Sequence, residues 1–258
     1  MIKGLALITG GSSGLGLEYA RQLAAEGCDL ILVSNKEEEL ENAGVQIRSE
    51  FPVCVTTHYQ DLALDSAADE LFAWCREKGF EVEILVSNAG VFFYGELGEK
   101  TYKKSKAMLR LHVETPTRLI ILFGEDMKRR GHGTIISMSS LAADLPFPGI
   151  TLYSSTKAYL KAFGRAMVHE LRPYGVSLTT VCPGGIATSL YGLRDDLMKF
   201  AVGIGVIKTP KWLVRKVLRR AGRRRPFVRP GLPDALMIPL LRLLPSHLET
   251  RIWVRFRR

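Results

Sequence analysis

From its first residues the chain alternates short apolar runs with longer stretches of helical periodicity. Apolar runs rich in β-formers fall at Leu5–Ile8, Leu30–Val33, Val53–Thr56, Ile84–Val86, Thr134–Ser137 and Ser177–Val181. Between them, apolar residues recur at helical spacing over Gly14–Glu26, Glu37–Glu50, Ala67–Lys78, Tyr102–Arg130 and Ser154–Pro173. The strand runs show little polar alternation. Strands buried on both faces have that character, and a parallel sheet covered by helices produces such burial. The pattern predicts a single-domain α/β fold built on a doubly wound parallel sheet.

After Val181 the alternation stops. An irregular stretch through Ile207 holds Leu190, Tyr191, Leu193, Leu197, Met198, Phe200 and Val202. A helix is then signalled by Thr209 as cap and Pro210 in its first turn. Leu213, Val214, Val217, Leu218 and Ala221 share one face of it, with Arg215, Lys216, Arg219 and Arg220 on the other. A last helix is expected from the capping box Ser246-His247-Leu248-Glu249, with Ile252, Trp253 and Phe256 on its apolar side. The run Ala235–Leu244 is too short to cross a bilayer and contains Arg242. The expected organisation is a body over 1–207, capped by 186–207, and a basic helical extension over 208–258 packed on the same domain.

Composition agrees with this picture: 258 residues, 47% hydrophobic and 24% charged, fit one globular domain. Charge alters it. The net charge is +10, yet Lys208 to Arg258 holds 15 Lys/Arg against two acids, leaving the first 207 residues near neutral. The basicity therefore belongs to the C-terminal part. Cys28, Cys54, Cys75 and Cys182 lie far apart and form no CxxC, which argues against a zinc site or a disulfide framework and fits a reducing cytosol. Since Ile2 to Ile8 already reads as a strand, no secretory leader is expected.

Chemistry enters at the junctions. Thr9-Gly10-Gly11-Ser12-Ser13-Gly14-Leu15-Gly16 stands between the first strand and first helix. Glycines there permit a tight turn and close approach of a ligand, while the helix N-terminus favours an anion such as a pyrophosphate; a plain turn is the other reading. At the end of the second strand, Val33 is followed by Ser34-Asn35-Lys36, with no acid before Glu37. An acid there would bond the adenosine ribose and repel a 2′-phosphate. Its absence favours NADP(H) over NAD(H), unless Lys36 is simply a solvated residue at a helix start.

With Asn88-Ala89-Gly90 after the fourth strand and Tyr153-Ser154-Ser155-Thr156-Lys157 later, the spacing T-G-x-x-x-G-x-G resembles the short-chain dehydrogenase/reductase family. The motifs stand in the family's order from Lys3 to about Ser189. The resemblance implies a Rossmann fold and an NAD(P)-dependent oxidoreductase that interconverts carbonyl and secondary alcohol. It implies that Gly10, Ser12, Ser13, Gly14, Leu15 and Gly16 hold the pyrophosphate, and that Ser34, Asn35 and Lys36 lie at the adenosine ribose. Asp61 with Leu62 would meet the adenine. Asn88, Ala89 and Gly90 would pass near the ribose, and Ile186 and Thr188, after Pro183-Gly184, would hold the nicotinamide carboxamide.

Hydride transfer to a ketone leaves an alkoxide that must receive a proton. Tyrosine can supply it only if a nearby cation lowers its ordinary pKa of about 10. Lys157 stands four residues after Tyr153, on the same helix face. The same spacing recurs at Tyr102 and Lys106, but that copy sits in the charged stretch Glu99–Lys104 without a strand-end serine before it. Tyr153 follows the fifth strand, whose end carries Ser139 and Ser140. In the family the serine stands thirteen residues before the tyrosine, which selects Ser140 to bond the substrate oxygen, while Lys157 would also bond the nicotinamide ribose. The family's usual asparagine, which holds a proton-relay water, is replaced by His112. Two readings stay open: a relay residue, or a packed helix residue.

Apolar walls over Ile186–Ile207 suit a bulky apolar carbonyl, and the alternative is that they only pack the cap. The pattern more loosely resembles the branch of ketosphinganine reductases and 17β-hydroxysteroid dehydrogenases, pointing to a lipid-like 3-oxo or steroid substrate. A small polar carbonyl and a non-catalytic scaffold are the other readings. The basic C-terminal helices suit peripheral contact with an anionic membrane, against a solvated face as the plainer alternative. No base-stacking surface or recognition module argues for nucleic acid. Family members commonly form dimers or tetramers, which implies a homo-oligomer.

Overall fold

A computed structural model describes residues 3–188, 207–230 and 246–256. Seven parallel strands form one sheet in the order β3-β2-β1-β4-β5-β6-β7. They are β1 Leu5–Thr9, β2 Leu30–Ser34, β3 Val55–Tyr59, β4 Val82–Ser87, β5 Gly133–Met138, β6 Val176–Val181 and β7 Phe227–Val228. The first two and the sixth are almost entirely buried; β1 and β2 are apolar up to their last residue, whereas β6 also buries the hydroxyls of Ser177, Thr179 and Thr180. Helices α1 Gly14–Ala25, α2 Glu37–Glu50 and α7 Pro210–Ala221 cover one face, and their buried residues form one core with the inward side chains of β1, β2 and β4. Helices α3 Ala67–Glu77, α5 Thr115–Arg130 and α6 Thr151–Leu171 cover the other face in a second core. Strand order reverses between β1 and β4, and both strands end toward the same side, where a crevice opens.

Four differences from the predicted elements have physical causes. The edge strand β3 runs to Tyr59 rather than stopping at Thr56, because an edge strand tolerates the half-buried polar Thr57 and His58. Helix α6 starts at Thr151, not Ser154, with Ser154 N–H bonded to Ile150 O, so Tyr153 lies inside the helix. The single predicted helix over Tyr102–Arg130 resolves into α4 Tyr102–Leu109, a wide π turn at Arg110–Glu114, and α5. Pro116 lacks the N–H that an α-helix would bond to His112 O, which favours a register change at that place. The alternation also does not end at Val181: two residues, Phe227 and Val228, add a seventh strand beside β6. So short a strand has no readable periodicity.

Helix α7 begins as expected, with Thr209 Oγ1 accepting from Trp212 N–H at 3.3 Å. Its apolar residues Leu213, Val214, Val217 and Ala221 are buried in the core that α1 shares. The last helix, α8 Ser246–Phe256, brings Trp253 onto Tyr94, ring centroids 5.8 Å apart. The expected cap residues Leu190, Tyr191, Leu193, Leu197, Met198, Phe200 and Val202, and the run Ala235–Leu244, lie outside the described residues. Among the described residues no helix is long and apolar enough to cross a membrane.

Candidate active site

The crevice at the carboxyl ends of the strands is a cleft of about 440 Å³, within the range of small-molecule sites. One end is built by the glycine turn. Gly14 has φ +54°, a conformation that favours glycine, and opens α1 with no acid in its first turn. Ser13, the residue before α1, makes no side-chain cap, so the first amides of the helix are free to meet an anion. A Cβ on Gly16 would collide with Gly10 O, so this glycine closes the turn rather than facing the cleft. Gly10, Ser12, Ser13, Gly14 and Leu15 do line it.

Thr9, not singled out in the sequence beyond its place in the motif, braces the turn. Its Oγ1 accepts from Asn88 N–H at 2.9 Å and Ala89 N–H at 3.0 Å, and donates to Val86 O at 3.3 Å. The Asn88 amide in turn donates to Thr9 O at 3.0 Å. Asn88 therefore locks β1 to β4, and Ala89 and Gly90 present their backbone to the cleft. At the β2 end, Ser12 Oγ and Ser34 Oγ share a hydrogen bond of 2.9 Å, and Ser34 Oγ accepts from Lys36 N–H at 3.2 Å. Asn35 and Lys36 complete that corner, while the Lys36 ammonium pairs with Glu39 at 2.8 Å on the exposed side. Asp61 and Leu62 form the next wall, the Asp61 carboxylate accepting from Ala63 N–H. Pro183, Gly184, Ile186 and Thr188 form the far wall after β6.

Ser140, Tyr153 and Lys157 meet at the other end, each 6% exposed. Ser140 follows β5, and its Oγ accepts from Ala142 N–H at 3.1 Å, which fixes the hydroxyl at the mouth of a short turn. Tyr153 projects from the first turn of α6 and packs edge-on against Phe92. The Lys157 ammonium lies 5.7 Å from the Tyr153 ring centre and donates to Met138 O at 3.0 Å. Burial pulls this lysine down from its ordinary value to about 8. Ser139 Oγ donates to Lys157 O at 2.7 Å, tying strand end to helix. The second Tyr-Lys pair plays no part here: Tyr102 is 64% exposed at the start of α4.

His112 enters from the π turn and is fully engaged. Its Nε2 accepts from Val91 N–H at 2.9 Å, so the ring proton of the neutral form sits on Nδ1, 3.1 Å from Thr156 Oγ1. Thr156 Oγ1 donates its own proton to Tyr153 O at 2.8 Å. Burial first, then the Lys157 charge, holds the imidazole well below its ordinary range. Val91, Phe92 and Leu111, absent from the sequence expectations, line the cleft beside Tyr153. The only local signal for Val91 and Phe92 is a short apolar run after Gly90.

Glycine turn, helix N-terminus and a buried tyrosine–lysine pair in one crevice define a Rossmann-class fold of the dinucleotide-binding type. The family model described as short chain dehydrogenase matches residues 4–196, and the chain belongs to that family. It is 31% identical over 200 residues to a very-long-chain 3-oxoacyl-CoA reductase of Rattus norvegicus, covering 75% of this chain and 62% of that protein. The chain thus spans less than two thirds of that relative's length. A 17-beta-hydroxysteroid dehydrogenase type 3 of Danio rerio is 27% identical over 220 residues, 81% of this chain and 69% of that one. Among solved structures, a short-chain dehydrogenase from Sphingobium yanoikuyae in complex with NADPH superposes with a TM-score of 0.79. It is 26% identical, with 94% of this chain and 96% of that chain covered.

Proposed function

We propose that this protein is an NADP(H)-dependent carbonyl reductase acting on a bulky apolar, lipid-like 3-oxo substrate. The observation that carries the reading is the convergence of Ser140, Tyr153 and Lys157 in the cleft that also holds the uncapped N-terminus of α1. When bound, the reduced nicotinamide supplies the hydride. The residues fit its carrier: the α1 amides suit the pyrophosphate, and Ser12, Ser34 and Lys36, with no acid at the end of β2, leave room for a 2′-phosphate. NADPH in the Sphingobium relative supports the same preference.

Within this reading each residue has a separate task. Ser140 Oγ donates to the carbonyl oxygen and polarises it. Tyr153 Oη gives its proton to that oxygen as the carbon is reduced, and the Lys157 ammonium stabilises the tyrosinate left behind. Val91, Phe92 and Leu111 exclude water and receive an apolar chain beside the tyrosine. The names of the 3-oxoacyl-CoA and hydroxysteroid relatives support the substrate class. An activity screen with NADH and NADPH over ketones of graded chain length tests it. Turnover should rise with chain length and be at least tenfold faster with NADPH; a preference for short polar carbonyls would sink the substrate reading.

His112 acts as a positioning residue. A relay must gain and lose a proton during turnover, whereas both nitrogens here hold the Val91 loop to the helix turn of Tyr153. His112→Asn should lower turnover by roughly tenfold through loosened geometry, within the range that loss of alignment produces. The shape of the pH profile around 6.5 should stay unchanged, since burial and the Lys157 charge hold the imidazole well below its ordinary range. A limb near pH 6.5 that vanishes in the variant would establish a relay instead.

A further inference from the structure

The outer face of α7 and the turn behind it carry nine Lys/Arg between Lys208 and Arg225 and no acid. Arg215, Arg219, Arg220 and Arg223 are exposed, while the opposite face of the helix is buried. Several surface arginines elsewhere find carboxylates: Arg21 pairs with Glu50, Arg76 with Asp126 and Arg118 with Asp69. Among the described residues no carboxylate pairs with any of the basic residues from Lys208 to Arg225. Like charges one turn apart, Arg215 with Arg219 and Lys216 with Arg220, disfavour the helix. A one-sided, uncompensated cationic face is complementary to an anionic surface.

We propose that this face docks the protein on the surface of an anionic membrane through charge alone. Insertion is excluded for α7 because Leu213, Val214, Val217 and Ala221 are committed to the core. Nucleic acid fits less well. Trp212, the one aromatic residue of the stretch, is part-buried with the Lys216 ammonium 4.8 Å from its ring centre, so it offers bases no stacking platform. Ile186, on the cleft wall, bridges to Lys208 just before the helix, so the basic face begins at the rim of the candidate site. The inference rests on charge and burial and does not depend on the substrate reading.

Flotation of the full chain with phosphatidylcholine vesicles, with and without phosphatidylserine, tests the proposal. Binding should require phosphatidylserine and be lost at about 0.5 M salt, where exposed charges are screened within several Å. Replacing Arg215, Arg219, Arg220 and Arg223 together by Gln should weaken it at least about a hundredfold, at roughly fivefold per basic residue. Thermal unfolding and NADPH affinity of that variant should match the parent. Equal partitioning onto neutral vesicles, undiminished binding by the variant, or tighter binding to duplex DNA or RNA than to anionic vesicles at the same salt would each overturn it.

Discussion

Tyr153→Phe is expected to lower turnover by roughly 10²–10⁴-fold, the range that a positioned general acid contributes, while NADPH affinity stays within about twofold. The substitution removes one oxygen and keeps the ring. The edge-on packing on Phe92 and the contact with His112, at centroid distances of 5.0 and 5.8 Å, therefore persist. The hydrogen bond that Tyr153 makes to Thr156 uses its backbone carbonyl and also persists. Lost chemistry can thus be separated from lost structure by measuring turnover, cofactor affinity and unfolding on one preparation. Turnover within tenfold of the parent would end the role given to this tyrosine.

Lys157→Met should move activity and stability in opposite directions. The ammonium is buried, and its folded pKa of about 8 lies below the unfolded value near 10.4. The unfolded chain therefore binds the proton more tightly. Below pH 8 the lysine is charged in both states, and its desolvation cost to the fold, on the order of 3 kcal/mol, is fully present. As pH rises from about 8 to 10.4 the folded lysine is neutral while the unfolded one is still charged, and the cost disappears. The apolar variant loses the bond to Met138 O, so it should be more stable than the parent by about 1–2 kcal/mol at pH 7. That advantage should shrink steadily above pH 8. Turnover should nevertheless fall by roughly 10²-fold or more, because the tyrosinate loses its cation. Urea unfolding of both proteins at pH 7 and pH 10 checks the sign. A variant less stable at pH 7, or an advantage that grows with pH, would contradict the account.

Such opposed effects are expected where a site stores unfavourable burial for chemistry. The lysine is held there by Met138 O, by α6 and by the strand end through Ser139. The neighbouring ion cluster serves the same end of the sheet: the Asp144 carboxylate, 5% exposed, takes Lys161 from α6 at 2.5 Å and Arg229 from beyond β7 at 2.6 Å. It thereby fastens the turn after Ser140 to two elements distant in sequence.

Much of the fold and of the candidate site is legible in the chain's local patterns. Strands β1 and β2 announce themselves as apolar runs, and the glycine turn stands directly between a strand and a helix, so both are local signals. Tyr153 and Lys157 need only helical spacing to share a face. The choice between Tyr153 and Tyr102 needs the strand before the former, and burial of the one against exposure of the other follows it. Strand β7 is illegible because two residues carry no period. The part played by Thr9 is illegible because its partners are 79 and 80 residues away.

His112 and α7 mark the boundary most clearly. The sequence by itself determined that a titratable ring stands in the helix before β5 and that a helix with one basic face follows residue 209. Only the tertiary structure decided what they touch. Hydrogen bonds to Val91 and Thr156, 21 and 44 residues away, commit the ring to holding the Val91 loop against α6. Docking on α1 consumes the apolar face of α7 and leaves its charge outward. Periodicity and spacing report which groups share a face, because backbone geometry alone dictates that. What the face meets depends on chain segments brought together by folding, and so do the tautomer, the desolvation and the free charge.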